Sequence, residues 1–580
     1  MEVSPLSTYT DTEQELLNTL TGCCNANNIE VILNPVTTPP VTGPISVDVE
    51  HDEEGNLVGI GVYNGKVSLY FNVVTKLLMS YLLEAPIIAH NGKGDFECLR
   101  QWGIPVRDNQ LVWDTELIAH IIDSSRKGYG LKKLALLDLG IEYPSYDDIV
   151  GKKSAKVRRT LDVWPVAIVS LYNALDCWAT LKLYEKQNSC LGSDDWKSYY
   201  EKLEKPVSFI FQQMENRGVC VDLKYLETLK GQLEMQKLPI EQEIKNQLGN
   251  INLNSPKQLL EALNAKEIYP TLKGKPSTDK RALGLLQSSG IVANLLRYSE
   301  LDTLLSSFVY PYLERNQEVV HPFFNQCGTR TGRLSCSNPN LLQIPRKTEN
   351  GRLVRRMFVP RSGMLMGDCD FGQIEPRVMA HLSKDPVLCK MFNDGVDFHE
   401  FTASRLQITR DRAKVLNLSV GYRATFKSVQ AQLGGTREEA QTQIDRWWNL
   451  FPVLRRWQET LIFESRRSSF CTTLLGRRIK VDGLSDGNSW KREAAERQLI
   501  NNITQGSAAE IMKKAMIKID DEMPYLGLLV QVYDELLFED IADEIQDSVE
   551  MVTDKMINCI RLDVPLTVDC KTGENWASCH

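Results

Sequence analysis

Acidic residues interrupt two apolar runs in the C-terminal half of the sequence. In "MLMGDCDFGQIEPR" an apolar start leads to Asp370, where the pattern turns helical, and "YLGLLVQVYDELLFED" contains Asp534 and Glu535. An acidic pair inside an apolar hairpin is costly unless it is paired or binds a metal ion. We therefore interpret Asp370 and Asp534 as facing metal ligands. For either residue taken alone, the alternative is an ordinary acidic turn residue at the tip of a hairpin.

A second acidic set lies in the N-terminal third of the chain. Asp48 and Glu50 are two apart on a predicted strand, so their side chains point to the same face. Asp95 follows in "AHNGKGDFECL", and Tyr172 and Asp176 lie one helical turn apart in "YNALDCWAT". The four acids could form a pair of metal sites, with Tyr172 orienting a water. Taken singly, Asp95 or Asp176 is more simply an ordinary loop or surface residue.

The segment "RDRAKVLNLSVGYR" lies between Asp370 and Asp534 and repeats at every fourth residue. Arg410, Lys414, Leu418 and Tyr422 therefore share one slowly drifting helix face. An amphipathic surface helix would explain the cations but not the apolar and aromatic members of that face. A nucleotide would explain both, with the cations on its triphosphate and the flat apolar surface against its base.

Composition bounds the class of protein. The 580 residues exceed what one core holds, so two or more domains are expected. The N-terminus lacks the basic start and apolar run of a signal peptide, and no stretch approaches about 18 apolar residues. The 14 cysteines show no CxxC pairs with zinc-ligand spacing, which favours a reduced compartment. A soluble globular protein without a membrane partner is predicted.

Basic residues are concentrated in the C-terminal half although the net charge is -8. Residues 321–361 contain eight Lys or Arg against one acid, and further basic runs span residues 405–427 and 455–480. For any single basic run, the alternative is an ordinary solvent-exposed face of the protein. Three such runs in one half favour a track for a polyanion.

The elements that position these residues follow from local patterns. The Pro/Thr-rich residues 34–45 predict a linker, and residues 45–71 alternate like paired strands around Gly-rich turns. Residues 76–92 predict a helix, a strand and then a loop, whereas residues 190–320 are long and helical. Strands near Asp370 and Asp534 flank a helical block over about 397–515. The fold class is therefore α/β and multidomain.

The order DxE, NxxxD, YxxxD resembles the three motifs of the DEDD-type 3'-5' exonucleases, in the subtype with Tyr. The resemblance covers residues 45–185, including "WDT" and "GLKKLA". It implies an RNase H-like domain with a mixed sheet and helices, in which two cations about 3.5–4 Å apart hold the scissile phosphate. Carboxylate oxygens suit Mg²⁺, with Mn²⁺ as a substitute. The implied ligands are Asp48, Glu50, Asp95 and Asp176, and Tyr172 positions the nucleophile.

Residues 190–580 resemble the polymerase portion of a family A, polymerase I-like, DNA polymerase. "DFGQIEPR", "RDRAKVLNLSVGYR" and "VYDE" resemble motifs A, B and C, and segments such as "TRTGRLS", "NNITQGSAAEIMKKAM" and "VPLTVDCKTGENW" lie in the family's order. The resemblance implies a right hand with an antiparallel palm sheet and helical thumb and fingers. The predicted divisions are 1–44 extension and linker, 45–190 exonuclease, 191–320 thumb, 321–396 palm, 397–495 fingers and 496–580 palm.

The resemblance also implies roles for individual residues. Asp370 and Asp534 would hold two Mg²⁺, with Glu535 as an accessory carboxylate. Glu375 and Tyr422 would line the sugar side and exclude a 2'-hydroxyl. The remaining nucleotide-binding residues would be His399, Arg410, Lys414, Leu418 and Gln373. The DNA-binding residues would be Arg333 and Gln505 at the minor groove, with Arg330, Thr331, Asn338 and Tyr533.

Four positions depart from the family pattern. Leu418 replaces an aromatic residue, Arg423 a glycine, Tyr533 a histidine and Pro376 an aliphatic residue. Because Pro restrains the residue before it, the setting of Glu375 is expected to differ. None of these changes removes a metal ligand, so activity is expected.

The resemblance implies a template-directed DNA polymerase with a proofreading 3'-5' exonuclease, acting in DNA replication. Its partners would be primer-template DNA, deoxynucleoside triphosphates, a single-stranded DNA 3' end, and a replisome helicase or primase, with the protein itself a monomer. The residues before the linker leave no room for a 5'-nuclease domain, as in phage-type enzymes. A host bacterial cytoplasm is then favoured over an organelle. The alternative is a primer-template binding protein with only exonuclease activity and a crippled polymerase site.

Overall fold

The computed structural model describes residues 9–151, 160–190, 194–272, 274–286, 290–346 and 349–579. Its N-terminal unit is a sheet with helices on both faces. The strands are β1 (Glu30–Leu33), β2 (Ile45–His51), β3 (Leu57–Tyr63), β4 (Val67–Phe71), β5 (Ile87–Ala89) and β6 (Leu111–Asp114). The helices are α1 (Asp11–Ala26), α2 (Lys76–Glu84), α3 (Gly92–Gln101), α4 (Thr115–Ile122), α5 (Leu131–Leu134), α6 (Tyr146–Val150) and α7 (Val166–Cys190).

The six strands pair in the order β1-β4-β3-β2-β5-β6, which places β2 inside the sheet. β2, β3 and β4 run antiparallel, as the alternation of residues 45–71 predicts. β1, β5 and β6 join by parallel pairing, which requires crossover segments such as α3 between β5 and β6. The sequence assigned residues 1–44 to an extension and linker, and the structure places α1 and the edge strand β1 within that range.

Each face of this sheet has its own apolar core. Leu78 of α2 and Phe96 of α3 pack against the inward side chains of β2 and β3 on one face. On the other face, Leu175 of α7 packs with Trp113 and with residues of α1 and α4. Because neighbours surround α7, it is buried on most of its sides, and it is held directly against β2 and β3.

A helical segment follows, as the sequence pattern predicts for residues 190–320. Its helices are α8 (Asp194–Tyr199), α9 (Lys205–Arg217), α10 (Leu223–Leu248), α11 (Pro256–Asn264), α12 (Lys280–Gly284), α13 (Gly290–Leu304) and α14 (Tyr310–Arg315). Short strands interrupt them: β7 (Val219–Val221), β8 (Thr271–Leu272), β9 (Lys275–Pro276) and β10 (Val319–Val320). Leu248, Leu263 and Leu295 lie in a separate small core at the far end of α10, so this segment extends as an arm.

The remainder combines short sheets with a helical block. The strands are β11 (Phe323–Asn325), β12 (Ser335–Ser337), β13 (Phe358–Val359), β14 (Met364–Phe371), β15 (Phe470–Thr472), β16 (Arg478–Lys480), β17 (Gly527–Val532), β18 (Glu535–Ile541) and β19 (Val568–Gly573). The helices are α15 (Glu349–Arg355), α16 (Ile374–Ser383), α17 (Pro386–Asn393), α18 (Phe398–Leu406), α19 (Arg410–Val420), α20 (Phe426–Leu433), α21 (Arg437–Leu450), α22 (Pro452–Ser468), α23 (Ser489–Glu522) and α24 (Ile545–Ile557).

The central sheet of this C-terminal unit is antiparallel and has the strand order β17-β18-β14-β19. β17 and β18 form the hairpin predicted around Asp534, and β14 pairs with β18 along its length. On the other side of β14, Cys369 lies opposite Cys570 of β19, and the two form a disulfide. The cysteine spacing did not predict this pair, because its members are 201 residues apart in sequence. No helix within the described ranges is long and apolar enough to cross a membrane.

A buried ionic cluster joins the two units. Glu204, in the turn between α8 and α9, accepts from Lys513 Nζ at 2.7 and 2.8 Å and from Arg477 Nη1 at 3.2 Å. Arg477 Nη2 also donates to Nδ1 of His120 on α4, at 2.9 Å. Glu204, Arg477 and Lys513 are each less than 5% exposed, so water does not screen these charges.

Replacing Glu204 by Gln is expected to destabilise the protein by about 3–5 kcal/mol, because two buried cations would lose a carboxylate that they share. Urea unfolding followed by intrinsic fluorescence measures this change. The matched control is Glu459→Gln, which breaks an exposed pair with Arg455 at 3.2 Å and should cost less than about 1 kcal/mol. Equal effects of the two substitutions would show that the cluster does not hold the junction.

Candidate active sites

The central sheet of the C-terminal unit brings the acids of the first set together. Asp370 is the next-to-last residue of β14 and lies opposite Glu535 of β18. Asp534 occupies the turn between β17 and β18, and its carbonyl oxygen accepts from the backbone N–H of Phe371 at 3.0 Å. The two predicted metal ligands therefore stand at the ends of neighbouring strands.

The electrostatics of this pair favour a cation. Burial raises the pKa of Asp370, and burial together with the nearby Asp370 carboxylate raises the pKa of Asp534 to about 7. Arg346 Nη1 lies 3.0 Å from Asp370 Oδ2 and 3.2 Å from Glu535 Oε2. The donors are carboxylate oxygens that already attract a cation, so the residues fit a divalent ion such as Mg²⁺.

The carboxylate of Glu535, which the sequence predicts as an accessory ligand, is held in place by several partners. It is 2% exposed, accepts from Arg355 Nη1 at 3.3 Å and accepts from Trp576 Nε1 at 3.1 Å. Its other oxygen faces Arg346. The carboxylate is thus an anchor beneath Asp370.

Sequence reasoning missed Asp368 and Arg346 as members of this site. Asp368 precedes Asp370 by two residues on β14, so both side chains point to the same face, and Asp368 is 3% exposed. Burial and then the neighbouring Glu535 raise the pKa of Asp368. The DxD spacing was the available signal, and it is the same kind of signal that identified Asp48 and Glu50.

The predicted nucleotide face of α19 is present in part. Lys414 and Leu418 are exposed on this helix, and Leu418 is 52% exposed. Arg410 forms ion pairs with Asp397 at 3.3 Å and with Glu400 at 3.0 Å. α19 ends at Val420, so the helix does not extend to the fourth residue of the repeat, Tyr422.

Tyr422 instead joins a cluster around Glu375. The Tyr422 hydroxyl donates to one oxygen of Glu375, and Arg333 donates to the other. Gln373 Nε2 donates to Asp397 at 2.8 Å, next to the Arg410 ion pair. The structure thus brings the predicted sugar-side residues together through direct contacts.

His399 lies behind this nucleotide face. It is 8% exposed, and its Nδ1 lies 3.0 Å from Nδ2 of Asn417 on α19. Burial lowers the pKa of His399, and the nearby Arg410 and Lys414 lower it further against the opposing pull of Asp397. The imidazole is therefore neutral near pH 7.

Three of the four departures have a local structural account. Arg423 and Tyr533 have φ values of +60° and +58°, in the left-handed region that favours glycine. Arg423 pairs with Glu496 at 3.6 Å. Pro376 is the third residue of α16, where its missing N–H removes no intrahelical hydrogen bond, and Glu375 remains helical. For Leu418, the structure shows only its exposure.

The predicted DNA-binding residues fall into separate places. Arg333 lies 5.4 Å from the ring centroid of Tyr533, which joins these two to the Glu375 cluster. A Cβ on Gly506 would lie 3.2 Å from the carbonyl oxygen of Thr331, so the neighbouring Gln505 is close to that turn. The remaining two, Arg330 and Asn338, are exposed, and Asn338 lines a cavity with Tyr312 of α14.

The acids of the second set meet at the centre of the N-terminal unit. Ligand atoms of Asp48, Glu50 and Asp176 lie within 4.8 Å of one another, which is a geometry that could hold a metal ion. Burial and then the Asp176 charge raise the pKa of Asp48, and burial and then Asp48 raise the pKa of Glu50. The fourth acid, Asp95, lies near Asp48, since burial and then the Asp48 charge raise its pKa.

The helix of Asp95 is positioned by Asp114 of the "WDT" segment. Asp114 accepts from the backbone N–H groups of Asn91 at 3.2 Å and Gly92 at 2.8 Å, where α3 begins. Asn91 has φ +62°, a conformation that Asn tolerates better than most residues. The NxxxD motif therefore reflects a turn that aims α3 at the acids.

Three further residues of this site were missed by sequence reasoning. Asn173 Nδ2 donates to Asp48 Oδ2 at 2.8 Å, and Tyr143 donates its hydroxyl to Asp176 Oδ1 at 2.8 Å. Lys132 forms an ion pair with Asp176, and its Nζ lies 4.0 Å from the ring centroid of Tyr143 and 4.2 Å from that of Tyr172. Tyr172 is buried, and the charges of Asp176, Glu50 and Asp48 add to burial in raising its pKa, so it lies near these acids.

A comparison with protein families covers the C-terminal unit and most of the helical segment. The model of the family "DNA polymerase family A" matches residues 223–578, more than half of the chain. The chain belongs to DNA polymerase family A.

Two curated relatives of this family A chain are bacterial. DNA polymerase I of Rhizobium leguminosarum is 32% identical over 522 residues, which cover 85% of this chain and 51% of that protein. DNA polymerase I of Bacillus subtilis is 33% identical over 500 residues, which cover 82% and 56%. The family A chain therefore spans about half the length of these relatives.

A solved structure extends the similarity beyond the matched residues. The POL domain of Pol1 from M. smegmatis, in complex with DNA primer-template and dNTP, aligns with a TM-score of 0.79 at 29% identity. The alignment covers 92% of this chain and 95% of that chain, so it reaches into the N-terminal unit.

The raised pKa of Asp534 predicts a pH dependence of stability in the family A chain without metal. Because the folded-state pKa of about 7 exceeds the ordinary value of 3.8, protonated Asp534 favours the folded protein, and this stabilisation is lost as pH rises through about 7. We expect the thermal midpoint in EDTA to fall from about pH 5 to about pH 8.5, and Asp534→Asn to flatten that fall. Scanning calorimetry over this range checks it. Asp411→Asn, at an exposed acid, is the control and should keep the fall of the wild-type protein. If Asp534→Asn shows the same fall of the thermal midpoint with pH, the assignment is contradicted.

Lys132 is expected to compete with a divalent ion for Asp176. Replacing Lys132 by Met should tighten Mn²⁺ binding about tenfold, or about 1.4 kcal/mol, because the ion no longer displaces an ammonium group. Mn²⁺ titration by electron paramagnetic resonance, in an Asp370→Ala background, isolates this site. Lys133→Met is the matched control, since Lys133 donates to the Lys127 carbonyl oxygen instead. Unchanged or weaker Mn²⁺ binding in Lys132→Met would refute the competition.

Proposed function

We propose that this chain is a template-directed DNA polymerase that adds deoxynucleotides to a primer 3' end by two-metal phosphoryl transfer. The observation that carries the proposal is the placement of Asp370 and Asp534 at neighbouring strand ends, in a C-terminal unit that also presents the exposed Lys414 and Leu418 on α19. Family membership supports it, as does the primer-template and dNTP complex of the M. smegmatis protein.

In this proposal Asp370 and Asp534 would hold the divalent ions, with Glu535 anchoring the strand beneath them. The ions, when bound, activate the primer 3'-hydroxyl and stabilise the charge on the leaving pyrophosphate. Asp534 would be deprotonated on binding, because an ion two charges positive would outweigh both the burial and the repulsion from Asp370 that raise its pKa. Arg346, which now contacts Asp370, would turn to other anions such as the incoming phosphates.

The remaining residues would bind and select the nucleotide. Arg410 and Lys414 would attract the triphosphate, while Leu418 would offer a flat apolar surface to the base. Glu375 is clamped between Tyr422 and Arg333, so its carboxylate cannot easily move aside for a 2'-hydroxyl. This clamp gives a physical basis for selecting deoxynucleotides, because an extra hydroxyl would meet a fixed group.

We also propose a second activity, a 3'-5' exonuclease in the N-terminal unit. The close grouping of Asp48, Glu50 and Asp176 favours it, since carboxylates held this close together repel one another and so attract a cation. Asp95 would complete the ligand set, and Tyr172 would orient the attacking water. The site would take the single-stranded 3' end of a primer.

The alternative of a crippled polymerase site has less support. Pro376 removes no helix hydrogen bond, and Tyr533 and Arg423 keep contacts that compensate for their backbone conformation. Leu418 remains the one change whose effect is a weaker stacking surface, which would slow nucleotide addition without abolishing it. A replication role, a replisome helicase or primase partner, a monomeric state, a phage-type origin and a bacterial cytoplasmic location stay predictions of the sequence.

The test uses a recessed 3'-end primer-template with Mg²⁺, with and without the four deoxynucleotides. We expect primers to lengthen with nucleotides and to shorten without them. Asp370→Ala should reduce extension more than about a hundredfold and spare degradation, whereas Asp48→Ala should do the reverse. Gel electrophoresis of the labelled primer measures both.

Asp411→Asn, an exposed acid on α19, serves as the control and should retain both activities. Primers that only shorten would refute the polymerase proposal and favour a primer-template binding protein with nuclease activity. Primers that never shorten would refute the exonuclease proposal alone.

A further inference from the structure

A cavity of about 630 Å³ lies where α8, the β15–β16 hairpin and α23 meet, and neither acidic site contributes to its wall. It is bounded by the turn after α8 on one side and by the loop that joins β15 to β16 on the other. Its lining comprises Trp196, Ser198, Tyr199, Lys202, Leu203, Thr472, Leu474, Leu475, Gly476, Arg478 and Lys514. No acidic residue is among them.

Three cations face this cavity from three different segments. Lys202 follows α8, Arg478 begins β16 and Lys514 lies on α23. None of them has a carboxylate within ion-pair distance in the part of the chain that the structure describes. Like charges gathered in a concave surface repel one another, and low-dielectric walls strengthen their field, so the cavity attracts an anion.

Two of the cavity's three cations directly follow, in sequence, a cation that points into the protein interior. Arg477 and Lys513 immediately precede Arg478 and Lys514, and both point inward to the carboxylate of Glu204. One member of each basic pair is therefore neutralised inside the protein, and the other faces the cavity. Because the inner members are fixed at the junction, the outer cations are held at a defined separation.

Aromatic side chains accompany the cations. The Arg478 guanidinium lies 5.5 Å from the ring centroid of Trp196 and 4.9 Å from that of Phe470. Ser198 of α8 and Thr472 of β15 also line the cavity. A stacked arginine and tryptophan beside free cations is an arrangement that binds the flat base and the phosphate of a nucleotide.

We propose that this cavity is a nucleotide-binding site, separate from both acidic sites, which takes a nucleoside phosphate. The base would pack against Trp196 and Arg478, and the phosphates would contact Lys202 and Lys514. A free phosphate ion would leave Trp196 and the apolar wall of Leu203, Leu474 and Leu475 unused.

The nucleotide can come from two sources, a free nucleoside triphosphate or one unit of a single DNA strand. Two probes separate them: 5-iodo-2'-deoxyuridine triphosphate, and a thymidine tetranucleotide with one 5-iodouracil. Irradiation cross-links iodouracil to the aromatic side chain on which it stacks, and mass spectrometry of the digested protein identifies that residue. EDTA throughout prevents extension or degradation of the probes.

We expect a cross-link at Trp196 with at least one probe. A cross-link with the triphosphate only assigns a free nucleotide, and one with the tetranucleotide only assigns a strand. Arg478→Ala and Lys514→Ala should each reduce it at least tenfold. Lys480→Ala, two residues along β16 and outside the cavity, is the matched control and should leave it unchanged.

Two outcomes overturn the proposal. One is the absence of a Trp196 cross-link with both probes while cross-links form elsewhere on the same protein. The other is a Trp196 cross-link that persists in Arg478→Ala and Lys514→Ala, because an adventitious stacking contact would not depend on the cations. Thermal unfolding of each variant verifies the fold. Neither outcome depends on polymerase or exonuclease activity, so failure of the proposed function leaves this test intact.

Discussion

The burial of the Glu204 carboxylate is the constraint on which the arrangement of the two units depends. Arg477 and Lys513 reach it from the C-terminal unit, and Gln326 Nε2 donates to it at 2.9 Å. A charge buried without partners costs several kcal/mol, so each member of this cluster keeps the others in place. Arg477 also donates a hydrogen bond to His120 of α4. Burial and then Arg477 lower the pKa of this imidazole, and the neutral ring accepts at Nδ1 while Nε2 donates to the Thr329 carbonyl at 2.8 Å.

The same cluster supports the turn that leads to Glu375. Thr329 begins this turn, and a Cβ on Gly332 would lie 2.9 Å from Arg477 Nη1 at φ +77°, so only glycine fits there without strain. Arg333 follows directly and contacts Glu375. Arg477 therefore contacts both the junction between the units and the turn that carries Arg333, the partner of Glu375. A displacement of the N-terminal unit would therefore be transmitted along residues 329–333 to Arg333, and from Arg333 to Glu375.

Local rules predicted the acids of both sites but not their counter-ions. Asp48 and Glu50 were recognisable from the strand period, and Tyr172 and Asp176 from the helical turn, because these relations span a few residues. Arg346 pairs with Asp370 across 24 residues, Lys132 with Asp176 across 44, and Arg477 with Glu204 across 273. No periodicity encodes such distances. For the same reason the fold class and the helical arm were predictable, whereas the edge strand β1 and the Cys369–Cys570 pair were not.

The positions that depart from the family pattern show what a backbone conformation demands. Arg423 and Tyr533 occupy left-handed conformations that cost a residue with a side chain about 1–2 kcal/mol relative to glycine. Each side chain has a partner that offsets part of this cost. Arg423 pairs with Glu496, and Tyr533 lies against Arg333. The contacts with Glu496 and Arg333 therefore help these two turns to accept residues with side chains in a conformation that favours glycine.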